Sequence, residues 1–321
     1  MAKVIVKDSR FLSGITEIPS FKIGDLEFVF EADLSEKGRR VAEKELRETP
    51  ERVKESLEEL KRLLSQEEDL TWPNNDFFLI KYLRKCKFYP ESAFQLLKKY
   101  FEIKVKNPEY FYDVDINYYI QIANLRIVDM MPRRDHKGRR IFVVRNLGKF
   151  DPNLYTMEQL FKGVAMMMEA VSLEPDTQVN GVVIVLDLKE LALYHLKPLT
   201  PSFIRFGMKW CQDCIPLRLK GLHVINETSM IDATYAIIKN FLSEKLRNRI
   251  YFHGKDYEMI HEYIAPNCLP TEYGGTISLG DCPKVEELME MYGDFIERCK
   301  KEMDVINSYG YKKDLTENTQ L

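Results

Sequence analysis

The chain has 321 residues, 45% hydrophobic and 12% aromatic, which supplies a core for one large domain or two modest ones. A formal net charge of -3 excludes a general electrostatic pull toward nucleic acid, so any affinity for phosphates has to come from a local cluster of Lys and Arg. The opening Met1-Ala2-Lys3-Val4 lacks the apolar stretch of a secretory signal, and the longest apolar run, Val182 to Leu186, is too short to cross a bilayer; a cytoplasmic protein is expected.

Residues 1–34 read as an N-terminal extension in which Leu26, Phe28 and Phe30 alternate with polar residues, as in a short strand. From Ser35 to Gln66 the chain is dense in Glu, Lys and Arg, with Val53, Leu57, Leu60 and Leu64 forming the stripe of an amphipathic helix. A second helix is predicted near Asp76, carrying Phe77, Ile80, Leu83 and Arg84. A third begins at Tyr89, with Pro90 in its first turn and Phe94, Leu97 and Phe101 on one face. Residues 35–105 therefore read as a small all-helical domain.

After Pro108 short β-like runs alternate with helical patterns, which predicts an α/β domain over residues 106–276 built on a mainly parallel sheet. The predicted strands are Arg140 to Arg145, Gly181 to Asp187, Gly221 to Asn226 and Ile250 to His253. Helices from Met157 to Leu173, Pro201 to Cys214 and Ser229 to Leu242 are long enough to connect them. In the remaining segment, 277–321, a charged run from Lys284 to Lys300 predicts a surface helix, and the last dozen residues read as disordered.

Six cysteines, at 86, 211, 214, 268, 282 and 299, show no disulfide-scaffold spacing. Trp210-Cys211-Gln212-Asp213-Cys214 matches a thiol–disulfide enzyme pattern, but it closes a predicted helix. The helix dipole there disfavours a thiolate, so packing is the better reading. The five histidines have no paired ligand spacing, no glycine-rich phosphate loop follows a predicted strand, and no Gly-x-Ser-x-Gly elbow occurs. No metal or cofactor is expected, and the domain reads as a binder rather than an enzyme.

The positive signal lies between Pro216 and Gly275. Met230, Ile231, Ala233, Ile237, Ile238, Phe241 and Leu242 give one helix a broad apolar surface, as either an ordinary core helix or a lid. Lys245, Arg247 and Arg249 follow at once, and Arg218 and Lys220 precede it. Beside a greasy helix, such charge can draw it to an anionic membrane at roughly 1 kcal/mol per basic residue.

The stretch Pro216-Leu-Arg-Leu-Lys-Gly-Leu-His-Val-Ile-Asn-Glu227, then Ile238-Lys-Asn-Phe-Leu-Ser-Glu-Lys245, His253-Gly254 and Leu269-Pro-Thr-Glu-Tyr-Gly-Gly275 resembles the CRAL-TRIO lipid-binding family. The similarity is to its branch of tocopherol carriers, retinaldehyde carriers and clavesins, and with Asp76 to Phe101 and Asp135 to Arg140 it spans about residues 40 to 276. It implies an α/β sandwich with an apolar pocket under a gate helix, here Met230 to Leu242. The pocket residues it implies are Val164, Met167, Met168, Ile184, Leu186, Ile231, Ile237, Ile238 and Phe241. The phosphoinositide-binding positions it implies are Arg84, Arg218, Lys245 and Arg249.

Where tocopherol carriers have serines near the ligand's polar end, this chain has Val164 and Met168. The Met166-Met167-Met168 run fits either an adaptable cavity or core. Leu217 follows Pro216 where fungal phosphatidylinositol carriers of the wider superfamily place a Glu, which argues against a phospholipid wholly inside. The expectation is a monomeric, reversibly membrane-associated carrier of a retinoid, tocopherol-like or isoprenoid lipid that releases it at phosphoinositide-bearing membranes. The alternative is a phosphoinositide-binding trafficking or signalling adaptor with a vestigial pocket.

Overall fold

A computed structural model describes residues 3–5, 11–23, 26–28, 30–279 and 285–312. Two short antiparallel hairpins come first, β1 (Lys3–Ile5) with β2 (Glu17–Pro19) and β3 (Phe21–Ile23) with β4 (Leu26–Phe28). The charged stretch that reads as one amphipathic helix is two, α1 (Glu36–Leu46) and α2 (Pro50–Ser65). The break has a local cause. Arg47 turns left-handed at φ 64°, and Thr49 then caps α2, with Pro50 as its first residue.

Next come β5 (Leu70–Thr71), α3 (Asp76–Lys85), capped by Asn75, and α4 (Pro90–Lys106). Leu60, Leu64, Leu79, Leu83, Leu97 and Phe101 of these helices share one core with Phe206 and Trp210 from the α/β portion. A sharp turn joins α3 to α4, with Lys87 and Phe88 both left-handed, and the Arg47 guanidinium donates to both of their carbonyls.

The α/β portion runs α5 (Ile116–Asn124), β6 (Val128–Met130), β7 (Arg140–Val144), α6 (Met157–Val171), α7 (Pro175–Asn180), β8 (Val182–Asp187), α8 (Pro201–Asp213), β9 (Leu219–Ile225), α9 (Ser229–Ile238), α10 (Glu244–Arg247), β10 (Ile250–Phe252) and α11 (Glu258–His261). Its five-stranded sheet has the order β10-β9-β8-β7-β6, parallel throughout except for β6. The fold is therefore mixed α/β with a mainly parallel sheet, as the alternation of patterns predicts.

Strand periodicity sorts the sheet into two faces. Ile141, Val143, Val183 and Val185 point to one side and pack with Ile260, Ile264, Leu269 and Tyr273. Phe142, Val182 and Ile184 point to the other. The Leu269–Gly275 motif closes the first face. Tyr273 donates its hydroxyl to Asp187 at 2.8 Å, and Asn226 holds the other oxygen of the same carboxylate at 2.7 Å. Gly274 turns left-handed at φ 71°, and a side chain on Gly275 would meet the Leu269 carbonyl at 2.0 Å, so both positions require glycine.

The C-terminal segment forms α12 (Val285–Asn307) and β11 (Gly310–Tyr311), and β11 pairs with β5. The sequence predicts a surface helix ending at Lys300. Instead it continues to Asn307, because Met303 and Ile306 are buried and Glu302 accepts the backbone N–H groups of Leu12 and Ser13. Lys284, Cys282, the side chain of Met230 and most of the predicted disordered tail (313–321) lie outside the described residues.

Candidate functional site

The second face of the sheet is the floor of a cavity of about 530 Å³, within the roughly 300–1,000 Å³ of pockets that enclose one small molecule. Phe142 and Val144 of β7, Val182 and Ile184 of β8, and Leu219 of β9 supply the floor. Leu160, Val164, Met167 and Met168 of α6 form a wall, since residues four, seven and eight positions apart share a helix face. Trp210, Cys211 and Gln212 close one end from α8, with Ile215 and Leu217 in the loop that follows.

Of the sequence-predicted pocket residues, Val164, Met167 and Met168 are in this wall and Ile184 is in the floor. Leu186, Ile231, Ile237, Ile238 and Phe241 are not. Leu186 and Ile231 pack together with Leu188 and Val224 beyond the cavity. α9 turns Ile231, Thr234, Tyr235 and Ile238 inward, leaving Ala233, Ala236 and Ile237 outward, with Ile237 53% exposed. A helix apolar on both faces does not announce which face is inward, so spacing alone could not select among these residues. The segment after α9 reaches the cavity instead, through Ser243, Lys245, Leu246 and Arg249.

Lys85, Lys87, Arg218, Lys220, Lys245 and Arg249 gather at the mouth. Glu45 is the single carboxylate among the described lining residues, 3.7 Å from Lys220. Burial pushes the Lys85 ammonium down to about 8, and repulsion from Lys245, Arg218 and Arg249 adds to the shift. Burial, then Arg218 and Arg249, likewise push Lys220 down to about 8, against the pull of Glu45. Lys85 donates to the Leu217 carbonyl at 2.5 Å, and Arg249 donates to that of Leu219. Arg218 is only 9% exposed, yet its Nε and Nη2 have no partner among the described residues.

The structure brings Arg218, Lys245 and Arg249 together but sets Arg84 apart. The Arg84 guanidinium is engaged by Glu48 at 2.6 Å and by Gln178 at 2.6 Å. Its neighbour Lys85 occupies the mouth, because adjacent helical residues point about 100° apart. Lys87 is the other cation missed by sequence reasoning, its signal the basic character of the α3–α4 turn, while Lys220, counted in the sequence among the charges flanking the apolar helix, joins the mouth from the start of β9.

Behind the wall, α6 is anchored to the helical layer. Lys81 bonds Glu169 at 2.8 Å and Tyr100 donates to the same carboxylate at 2.8 Å, while Lys104 lies 3.3 Å from the Tyr100 hydroxyl. Burial opposes ionisation of Glu169, but Lys81, Lys104 and Tyr100 hold its carboxyl below the usual range. Cys211 is exposed and lines the cavity, while Cys214 is buried, and burial pushes the Cys214 thiol up to about 12, away from the thiolate that redox chemistry needs.

The CRAL/TRIO domain pattern matches residues 127–275 of this chain. Clavesin-2 of Homo sapiens and of Rattus norvegicus is 31% identical over 259 residues, which covers 77% of this chain and 76% of each relative. Clavesin-1 of Xenopus laevis is 30% identical over 247 residues, 75% of this chain and 72% of the relative. The crystal structure of Sfh5 aligns with a TM-score of 0.47 at 18% identity, covering 82% of this chain and 98% of that one.

Proposed function

Because this chain belongs to the CRAL/TRIO family, we propose that it is a carrier that holds one hydrophobic lipid in the cavity and exchanges it with membranes without catalysing a reaction. The observation that carries this reading is the cavity itself. A space of about 530 Å³ lies between α6 and the sheet, walled by Phe142, Ile184, Val164, Met167 and Met168. Each methylene enclosed there contributes about 0.8 kcal/mol, so an apolar ligand binds tightly without many polar contacts. A retinoid, tocopherol-like or isoprenoid body suits such a lining.

Release then requires help, and the mouth supplies a means. Arg218, Lys245 and Arg249, joined by Lys85 and Lys220, form a cluster whose mutual repulsion is relieved by clustered phosphates, which supports a phosphoinositide as the membrane signal. The outward Ala233, Ala236 and Ile237 of α9, with Asp232 beside them in the first turn, give it a small, mainly apolar patch to lay on the bilayer. No described helix is long and apolar enough to cross a membrane. The test is lipid transfer between liposomes with and without phosphatidylinositol bisphosphate. The Lys245→Ala/Arg249→Ala variant should lose the acceleration by phosphoinositide, and an undiminished acceleration rejects the role of the mouth. Native mass spectrometry separates a carrier, which retains a stoichiometric lipid, from an adaptor, which does not.

A further inference from the structure

We propose that the cargo is an anionic amphiphile, with its apolar body on the sheet against Phe142, Ile184 and Met168 and its carboxylate or phosphate against Arg218. This rests on the carrier reading and names the class of lipid carried. The floor residues and the cations bound one continuous cavity, so a molecule that fills it touches both. Arg218 is the deepest indication. It lies 9% exposed, and two of its guanidinium nitrogens, Nε and Nη2, lack acceptors among the described residues.

Buried donors are almost always paired, and a planar guanidinium is matched by the two oxygens of a carboxylate or phosphate. The one carboxylate among the described lining residues, Glu45, pulls on Arg218 through space and lies 3.7 Å from the Lys220 ammonium, but no described residue accepts a hydrogen bond from Arg218 Nε or Nη2. A wholly neutral cargo would lay apolar atoms beside donors already stripped of water. An anionic head satisfies Arg218 and also relieves the repulsion among Lys85, Lys245 and Arg249. It follows that a membrane phosphoinositide reaches for cations the cargo head already occupies. Unloading is then displacement of one anion by another, with Arg218 as the shared partner.

The test uses the full chain and two probes with one tail, oleoyl lysophosphatidate and monooleoylglycerol, titrated below their aggregation concentrations. The phosphate-bearing probe is expected to bind at least tenfold more tightly, and Arg218→Gln to reduce that preference to within twofold, with Arg218→Lys intermediate. Inorganic phosphate at the same concentration should not displace the bound probe. Equal binding of the two probes by the unaltered protein overturns the anionic-cargo proposal while leaving the carrier reading in place. Binding of neither probe, with no lipid retained in native mass spectrometry, overturns both. A full preference in folded Arg218→Gln removes Arg218 from the role, and displacement by inorganic phosphate shows an anion site independent of the tail, which also overturns the proposal.

Discussion

The Gln212 side-chain oxygen accepts the backbone N–H of Ser243 at 2.7 Å, while its amide nitrogen donates to the Phe241 carbonyl at 2.9 Å. One residue at the end of α8 thus holds the backbone on both sides of Leu242, where α9 gives way to α10. Gln212 also lines the cavity, so the latch and the lipid space share a side chain. Gln212→Ala removes both of these hydrogen bonds and the longer one from its amide nitrogen to the Met208 carbonyl, and should cost about 1–3 kcal/mol. It should also speed amide hydrogen exchange across residues 239–246 and the off-rate of bound lipid. Unchanged exchange in that segment would show that the latch does not restrain it.

The sheet was legible because β7 and β8 carry unbroken apolar runs, Ile141 to Val144 and Val182 to Leu186, and β9 adds Leu222, Val224 and Ile225 between connecting helices. Strand β6 was not, since Val128–Met130 is three residues long and half-buried, too little for any periodicity. Of the nine pocket positions that the resemblance implies, the four on α6 and β8 line the cavity, Val164, Met167, Met168 and Ile184. The remainder depended on rotation and pairing. Arg84 and Lys85 are chemically alike in sequence, and only Glu48 and Gln178 decide which of them stays at home.

The anchor of α6 predicts a large stability effect away from the cavity. Glu169→Ala leaves Lys81 and Lys104, both 1% exposed, buried without their carboxylate. Loss of one partner from a buried ion pair costs about 3–5 kcal/mol. Urea denaturation should report that loss as a lower midpoint with an unchanged slope, and a midpoint shift worth under about 1 kcal/mol would show that the cluster is not an anchor.

Filling the cavity should separate binding from folding. Val164→Trp puts an indole against Met168 and Ile184, in space the chain itself does not use. Overpacking a filled core costs about 1–3 kcal/mol, whereas a residue entering existing space costs little. The variant should therefore melt near the unaltered protein yet lose copurifying lipid in native mass spectrometry. Retention of one lipid per chain would place the bound molecule elsewhere.

The sheet edge carries a pH dependence of its own. His223 Nδ1 and His253 Nε2 meet at 3.0 Å with the two ring planes only 15° apart, and Tyr251 and Tyr263 pack on His223. Burial pushes His223 down to about 4, and repulsion from His253 and Arg139 adds to it. His253 is also lowered by burial, although Glu227, Glu262 and Asp256 pull the other way. With a folded value near 4 and an unfolded one near 6.5, the unfolded chain takes up its proton first as the solution is acidified. Stability from His223 is therefore complete above about pH 6.5, falls as the pH drops through that interval, and levels off near 4, a loss of at most about 3 kcal/mol. Thermal melts across this range should show the decline in the unaltered protein, and His223→Phe should flatten it. A variant that retains the full slope would assign the dependence to other groups.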